Sequence, residues 1–173
     1  MKKYELNGEI YYYNNGKWLT SNYMIAPLAL VGKLNKLLVE EEDLSDKSFG
    51  ELIKIIDGAR DGETNIQLAV KAADLALEMA KPQSIGYILP RDTSNYRKIG
   101  KPQLAIQLAN KYIDKYGDDV ISSALLTSMA AAYCDLGELK DARKYADRAK
   151  ARSAGKSSPE LVSLYTRLKR LEG

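Results

Sequence analysis

Hydrophobic and polar positions alternate in twos near the start of the chain, then switch to a three- and four-residue spacing that persists almost to the end. In the first region, short runs of tyrosine, isoleucine and tryptophan are separated by Asn7-Gly8 and Asn15-Gly16. Asn-Gly tolerates the positive φ angles of a tight hairpin, so the pattern predicts a three-stranded meander over Lys3–Leu6, Glu9–Tyr13 and Lys17–Tyr23. On the middle strand Ile10 and Tyr12 face one way while Tyr11 and Tyr13 face the other. A lone meander is marginal in water, so one ring-bearing face is expected to pack on the helix after Pro27 or to cap the first helix pair. Aromatic residues on both faces leave Tyr11, Tyr13 and Trp18 as a candidate exposed docking patch.

After Pro27 the spacing of Leu28, Leu30, Val31, Leu34, Leu37 and Leu38 predicts a helix that ends in the acidic run Glu40–Asp43. Those adjacent carboxylates lack the alternation of a calcium loop and read as a solvated acidic stretch. Ser45 or Ser48 is placed to cap a helix reaching about Ala59, Asp61-Gly62 breaks it, and Thr64 is placed to cap another through Ala80. At the far end, Ser157 or Ser158 before Pro159 opens a final helix, Glu160–Leu171, with Leu161, Leu164, Tyr165, Leu168 and Leu171 on one face. Arg167, Lys169 and Arg170 suit its C-terminal dipole.

Between these lies an internal repeat. Residues 93–112 set under 130–149 without gaps match Tyr96 with Tyr133, Gly100 with Gly137, Ala105 with Ala142 and Ala109 with Ala146. A weaker upstream copy aligns Ala69, Ala73 and Ala76 with Ala142, Ala146 and Ala149. Leu126, Met129, Ala130 and Tyr133, then Gly137, then Ala142, Ala146 and Ala149, form a helix, a glycine turn and a second helix with small residues at close spacing. In spacing and residue type this stretch resembles a tetratricopeptide repeat, of the kind found in bacterial repeat proteins. It departs from the family at Leu126, where tryptophan is preferred, at Ala130, where glycine is, and in lacking the closing proline. In the middle copy Pro90 either starts the first helix or kinks it.

The resemblance implies a mainly α fold, a helix-hairpin solenoid with a small N-terminal antiparallel β-meander and a C-terminal capping helix. The expected layout is a meander over 1–27, a connecting helix and acidic loop over 28–43, repeats over 44–156 and the cap over 157–173. It also implies that the first helices of successive pairs line a groove for a peptide or partner protein. On that basis Arg91, Ser94, Asn95 and Lys98 are the candidate partner-binding residues of the middle pair, with Thr127, Ser128 and Asp135 on the next. A cluster of arginine, asparagine and lysine resembles the carboxylate grips of some relatives.

Composition narrows the chemistry. The 173 residues include no histidine and one cysteine, Cys134, which removes the usual neutral-pH acid/base pairs, a zinc centre and an internal disulfide. No catalytic residue, metal site or cofactor motif is expected, and the protein reads as a non-enzymatic scaffold. Residues 1–85 carry 10 Lys/Arg against 13 Asp/Glu, and residues 86–173 carry 16 against 10. That basic excess, with aromatics beside Lys17, supports an alternative reading as a binder of single-stranded nucleic acid. The start Met-Lys-Lys-Tyr-Glu-Leu-Asn-Gly-Glu brings charge and turn residues ahead of any signal-like run, so a cytoplasmic location is expected, with no membrane partner. Self-association through the meander is the remaining partner expectation.

Overall fold

A computed structural model describes residues 1–62 and 64–173. The protein is mainly helical, with a small antiparallel sheet at its N-terminus. It divides into two compact units, Met1–Ala76 and Leu77–Gly173.

In the N-terminal unit the meander forms as the Asn-Gly turns require. Strands β1 (Lys2–Leu6), β2 (Glu9–Asn14) and β3 (Lys17–Thr20) pair in sequence order. Both turns hold positive φ, 56° and 81° at Asn7 and Gly8, and 45° and 77° at Asn15 and Gly16. The register sets Tyr4 opposite Tyr11 and Tyr13 opposite Trp18, which gathers the large rings on one face. Helix α1 (Leu28–Glu41) covers that face: Tyr4, Tyr11, Trp18 and Ala26 form one core with Leu34 and Leu38.

The third strand stops at Thr20, earlier than the alternation suggests. There the chain reverses, with Thr20 N–H donating to Met24 O at 2.7 Å and Tyr23 held at a φ of 60°. Helix α2 (Phe49–Gly58) starts in a reciprocal capping box between Ser48 and Glu51, which decides between the two candidate serines. Helix α3 (Ile66–Met79) is capped by Asn65, whose Oδ1 accepts from the backbone N–H of Gln67 at 2.8 Å and Leu68 at 3.3 Å. Thr64, expected in that role, stands one residue before the cap, where its N–H closes the preceding turn onto Gly58 O at 3.0 Å.

The C-terminal unit is built from helix hairpins. Helix α4 (Pro82–Lys98) begins with Pro82 and continues through Pro90, so that proline is interior. Helices α5 (Pro102–Tyr116), α6 (Ser123–Asp135), α7 (Leu139–Arg152) and α8 (Pro159–Leu171) follow, with a 3-10 turn over Gly117–Val120. The α4–α5 and α6–α7 turns close alike. Lys101 N–H reaches Tyr96 O and Gly100 N–H reaches Arg97 O, both at 2.9 Å, while Glu138 N–H reaches Tyr133 O at 2.9 Å and Gly137 N–H reaches Cys134 O at 3.1 Å. These paired bonds make a Schellman motif, in which Gly100 and Gly137 supply the left-handed residue at φ 78° and 75°. The 37-residue offset read from the sequence is therefore an offset between two turns of the same geometry.

Helix α6 packs against α4 on one side and α8 on the other, with α5 and α7 each packed on two of those three helices or their neighbours. Ala105, Ala109, Ala142, Ala146 and Ala149 are fully buried, as are Ala69, Ala73 and Ala76 of the N-terminal unit. Small side chains let helix axes approach closely. Ser158 caps α8, and Leu161, Leu164 and Leu168 complete a core with Leu126, Ala130 and Ala142, Ala146 and Ala149 of α7. Leu171, expected on that face, is exposed.

The turn after α7 shows a correctable strain. Gly155 N–H donates to Lys150 O at 3.1 Å, so the left-handed position falls on Ala154, at φ 52°. A Cβ disfavours that conformation by roughly 1–2 kcal/mol. Ala154→Gly is expected to raise stability by about 1 kcal/mol, read as a higher urea midpoint with an unchanged m-value.

Candidate functional site

Polar side chains from three alternate helices of the C-terminal unit converge on a groove of about 260 Å³. Helix α4 supplies Ser94 and Arg97; α6 supplies Thr127, Ser128 and Ala131; α8 supplies Glu160, Ser163, Leu164 and Arg167. Within each helix these residues stand one, three or four apart, so each set is one strip of a helical surface. The strips are brought side by side by the buried stripes beneath them, Ile85–Ile88–Leu89 in α4, Leu126–Met129–Ala130 in α6 and Leu161–Leu164–Leu168 in α8.

At one end of the groove Asp135, the last residue of α6, joins two guanidinium groups. Arg97 Nε donates to Oδ2 at 2.7 Å and Arg167 Nη1 donates to Oδ1 at 2.7 Å. Burial pushes the Asp135 carboxyl up, but the hydrogen bonds from Arg97 and Arg167 outweigh it and hold the group below the ordinary carboxylate value. A depressed carboxyl contributes stability above its unfolded value, near 3.9, that is lost as pH falls through the folded one. The stability gap between wild type and Asp135→Asn is therefore expected to narrow as pH drops from 5 toward 2. Parallel urea melts at several pH values measure it, and a gap that widens would contradict the ion-pair geometry.

The residues expected to bind a partner divide into two groups. Ser94 and Thr127 line the groove and Asp135 holds its arginines, although Thr127 is buried and donates its hydroxyl to Ser123 O at 2.8 Å. Asn95 is not on the exposed face expected for it: it is 5% exposed, because it continues the inward stripe of Ile85, Ile88 and Asp92. Arg91 lies back on its own helix, its guanidinium 3.6 Å from the centre of the Tyr87 ring and donating to Tyr87 O at 2.8 Å. Lys98 is exposed at the end of α4, outside the groove lining.

Arg97 and Arg167 are the functional candidates that sequence reasoning passed over. Ser94 with Arg97, and Glu160 with Ser163, Leu164 and Arg167, share a helical strip that the 3.6-residue period exposes once α8 is treated as a wall rather than a cap.

The aromatic patch is corrected more fully. Tyr11 and Trp18 are each 3% exposed and Tyr13 is half-buried, all on the face that α1 covers. Trp18 meets Tyr4 edge-on at 5.0 Å and donates its Nε1–H to Asn35 Oδ1 at 2.6 Å. The large exposed apolar residues of this unit, among the described residues, are instead Met1 and the cluster Tyr23, Met24, Ile25 and Leu28. A shallow hollow of about 660 Å³ beside them is lined by Ile10, Thr20, Met24, Ile25 and Pro27 among others, with Glu9 the one charged side chain among the described residues that line it.

Cys134 is buried, and burial raises its thiol above the ordinary value, against the pull of Arg167 and Arg97. It stays protonated at neutral pH, the unreactive form of a cysteine. Among the described residues no helix is long and apolar enough to cross a membrane. Models of known protein families give no match to this chain, and a search of curated proteins gives none.

Proposed function

We propose that the chain is a tetratricopeptide-like helix-hairpin adaptor, working in the bacterial cytoplasm, that holds a peptide or helix of a partner protein in the groove of α4, α6 and α8. The observation that carries this reading is the convergence of polar strips from three alternate helices on one concave surface, while Ala105 and Ala109 of α5 and Ala142, Ala146 and Ala149 of α7 are turned inward. The matching Schellman turns at Gly100 and Gly137 support the repeat.

In this reading the hydroxyls of Ser94 and Ser163 bond the peptide backbone, each worth about 0.5–1.5 kcal/mol, and half-buried Ala131 offers a small apolar rest. Arg97 and Arg167 set the charge preference. The nucleic-acid alternative loses its stacking surface, since Tyr11 and Trp18 lie in the core.

The test is selection of a displayed random peptide library on the full chain, followed by affinity measurement on wild type and Ala131→Arg. Ala131 is half-buried in the groove wall, so a long side chain there fills the groove. Selected peptides are expected to lose at least tenfold in affinity with the thermal midpoint nearly unchanged. Peptides that bind both proteins alike would place the binding surface elsewhere and overturn the proposal.

A further inference from the structure

The small sheet has one closed edge and one open edge. Beyond β3 the chain returns on itself, with Ala26 N–H donating to Trp18 O at 2.9 Å and Thr20 N–H to Met24 O at 2.7 Å. Strand β1 lies at the other edge, and among the described residues no backbone group bonds to its outer side. We propose that this edge pairs with β1 of a second copy of the chain, antiparallel and centred on Tyr4, joining the two meanders into one continuous sheet.

The hairpin decides which backbone groups are left over. Leu6 and Glu9 flank a two-residue turn with positive φ at both positions, so they exchange both of their backbone bonds, and every second pair along the ladder does the same. Lys2, Tyr4 and Leu6 are thereby spent on β2, whereas the N–H and C=O of Lys3 and Glu5 point outward. The same alternation, carried across β2, turns Trp18 and Thr20 outward from β3, and those are the residues that bond Met24 and Ala26.

The side chains select both the partner and the register. Lys3 and Glu5 are exposed on the face opposite Tyr4, which is buried with α1. Among the described residues neither takes part in an ion pair. Centring the pair on Tyr4 sets Lys3 of each copy opposite Glu5 of the other, in hydrogen-bonded pairs of opposite charge. Centring it on Lys3 sets lysine against lysine, and centring it on Glu5 sets glutamate against glutamate, both of which are unfavourable. Charge on an edge strand ordinarily discourages pairing. Here one lysine and one glutamate two residues apart are complementary to themselves, as a two-fold contact requires. The strand is short, so the interface belongs to the weak class, with a dimerisation midpoint of about 10 μM to 1 mM. The pairing does not depend on the groove of the C-terminal unit.

Sedimentation equilibrium of the full chain tests the register through Lys3→Glu and Glu5→Lys, measured singly, mixed, and combined in one chain. Each single variant carries one sign of charge along the edge and is expected to self-associate at least tenfold more weakly than wild type. An equimolar mixture of the two is expected to form heterodimers at least as tight as the wild-type dimer, and the double variant is expected to recover wild-type association. A wild-type chain that stays monomeric at about 1 mM overturns the proposal and leaves the edge to an extended segment of another protein. Association that neither single variant weakens also overturns it, and places the contact elsewhere, as on Tyr23, Met24 and Ile25. Amide hydrogen exchange on the wild type supplies a readout that needs no variant. The Lys3 and Glu5 N–H groups are expected to become protected as concentration rises through the midpoint, while those of Tyr4 and Leu6 are protected throughout. Fast exchange at Lys3 and Glu5 in a sample that sediments as a dimer would overturn the pairing.

Discussion

Trp18→Ala is expected to destabilise the N-terminal unit by about 3–5 kcal/mol, the largest loss anticipated for any single change there. Trp18 is the ring on which the small sheet and α1 agree. It packs edge-on against Tyr4, lies tilted at 4.9 Å over Tyr13, and shares its core with Leu34 and Leu38. Removing it leaves a cavity under β3 and strips Asn35 Oδ1 of the indole donor that satisfies it. A three-stranded sheet needs its hydrophobic face or a packed helix to be stable, and Trp18 supplies both here, so sheet and helix are expected to come apart together. Far-UV circular dichroism in urea measures the loss. Trp18→Phe, which keeps most of the ring volume, is expected to cost less than half as much, and equal losses would mean that ring packing is not what holds the sheet.

Ala146→Leu is expected to destabilise the C-terminal unit by roughly 3 kcal/mol, the upper part of the range for overpacked cores. Ala146 is fully buried in the cluster that joins α6, α7 and α8. Extra methylenes there have no room unless α7 moves away from α6, and that movement would also shift the strips that form the groove. Ala109→Leu on α5 is the matching change one helix hairpin earlier and is expected to cost a similar amount, because Ala109 is buried to the same extent. Ala151, on the exposed side of α7, is the control, and Ala151→Leu is expected to stay within about 0.5 kcal/mol of wild type. Thermal unfolding of the four proteins gives the comparison. A neutral Ala146→Leu would deny that the small residues are set by close helix packing.

The turns and helix ends were legible in the sequence because each is decided by a few neighbouring residues. Asn7-Gly8 and Asn15-Gly16 announce their hairpins, Ser158-Pro159 announces α8, and Gly100 and Gly137 announce matching hairpin ends. The buried face of the sheet was not legible, because tyrosine alternates on both sides of β2 and suits either environment. The choice is made by the partners that register brings alongside, Tyr4 beside Tyr11 and Trp18 beside Tyr13. Pro90 had two readings, and only the first-turn start at Pro82 decides that it is interior.

The groove was legible in part. Ser94 and Thr127 follow from the expectation that first helices face it. Asn95 was expected on the exposed face and Arg97 passed over because "SNYRK" looks uniformly polar, and a two-residue step on a helix turns a side chain by more than half a circle. The buried stripe of α4, followed from Ile85 through Ile88 to Asp92, points inward at Asn95 and leaves Arg97 on the outer strip. Arg167 was hidden for another reason. Its place near a helix C-terminus already gives it a favourable dipole interaction, and its contact with Asp135 spans 32 residues, beyond the reach of any local pattern.

The most direct test of the central claim is amide chemical-shift mapping of the full chain with a peptide taken from the library selection. The groove reading predicts perturbations concentrated at Ser94, Arg97, Thr127, Ser128, Ser163 and Arg167. Perturbations concentrated on Met24, Ile25 and Leu28, or along the outer faces of α5 and α7, would contradict it.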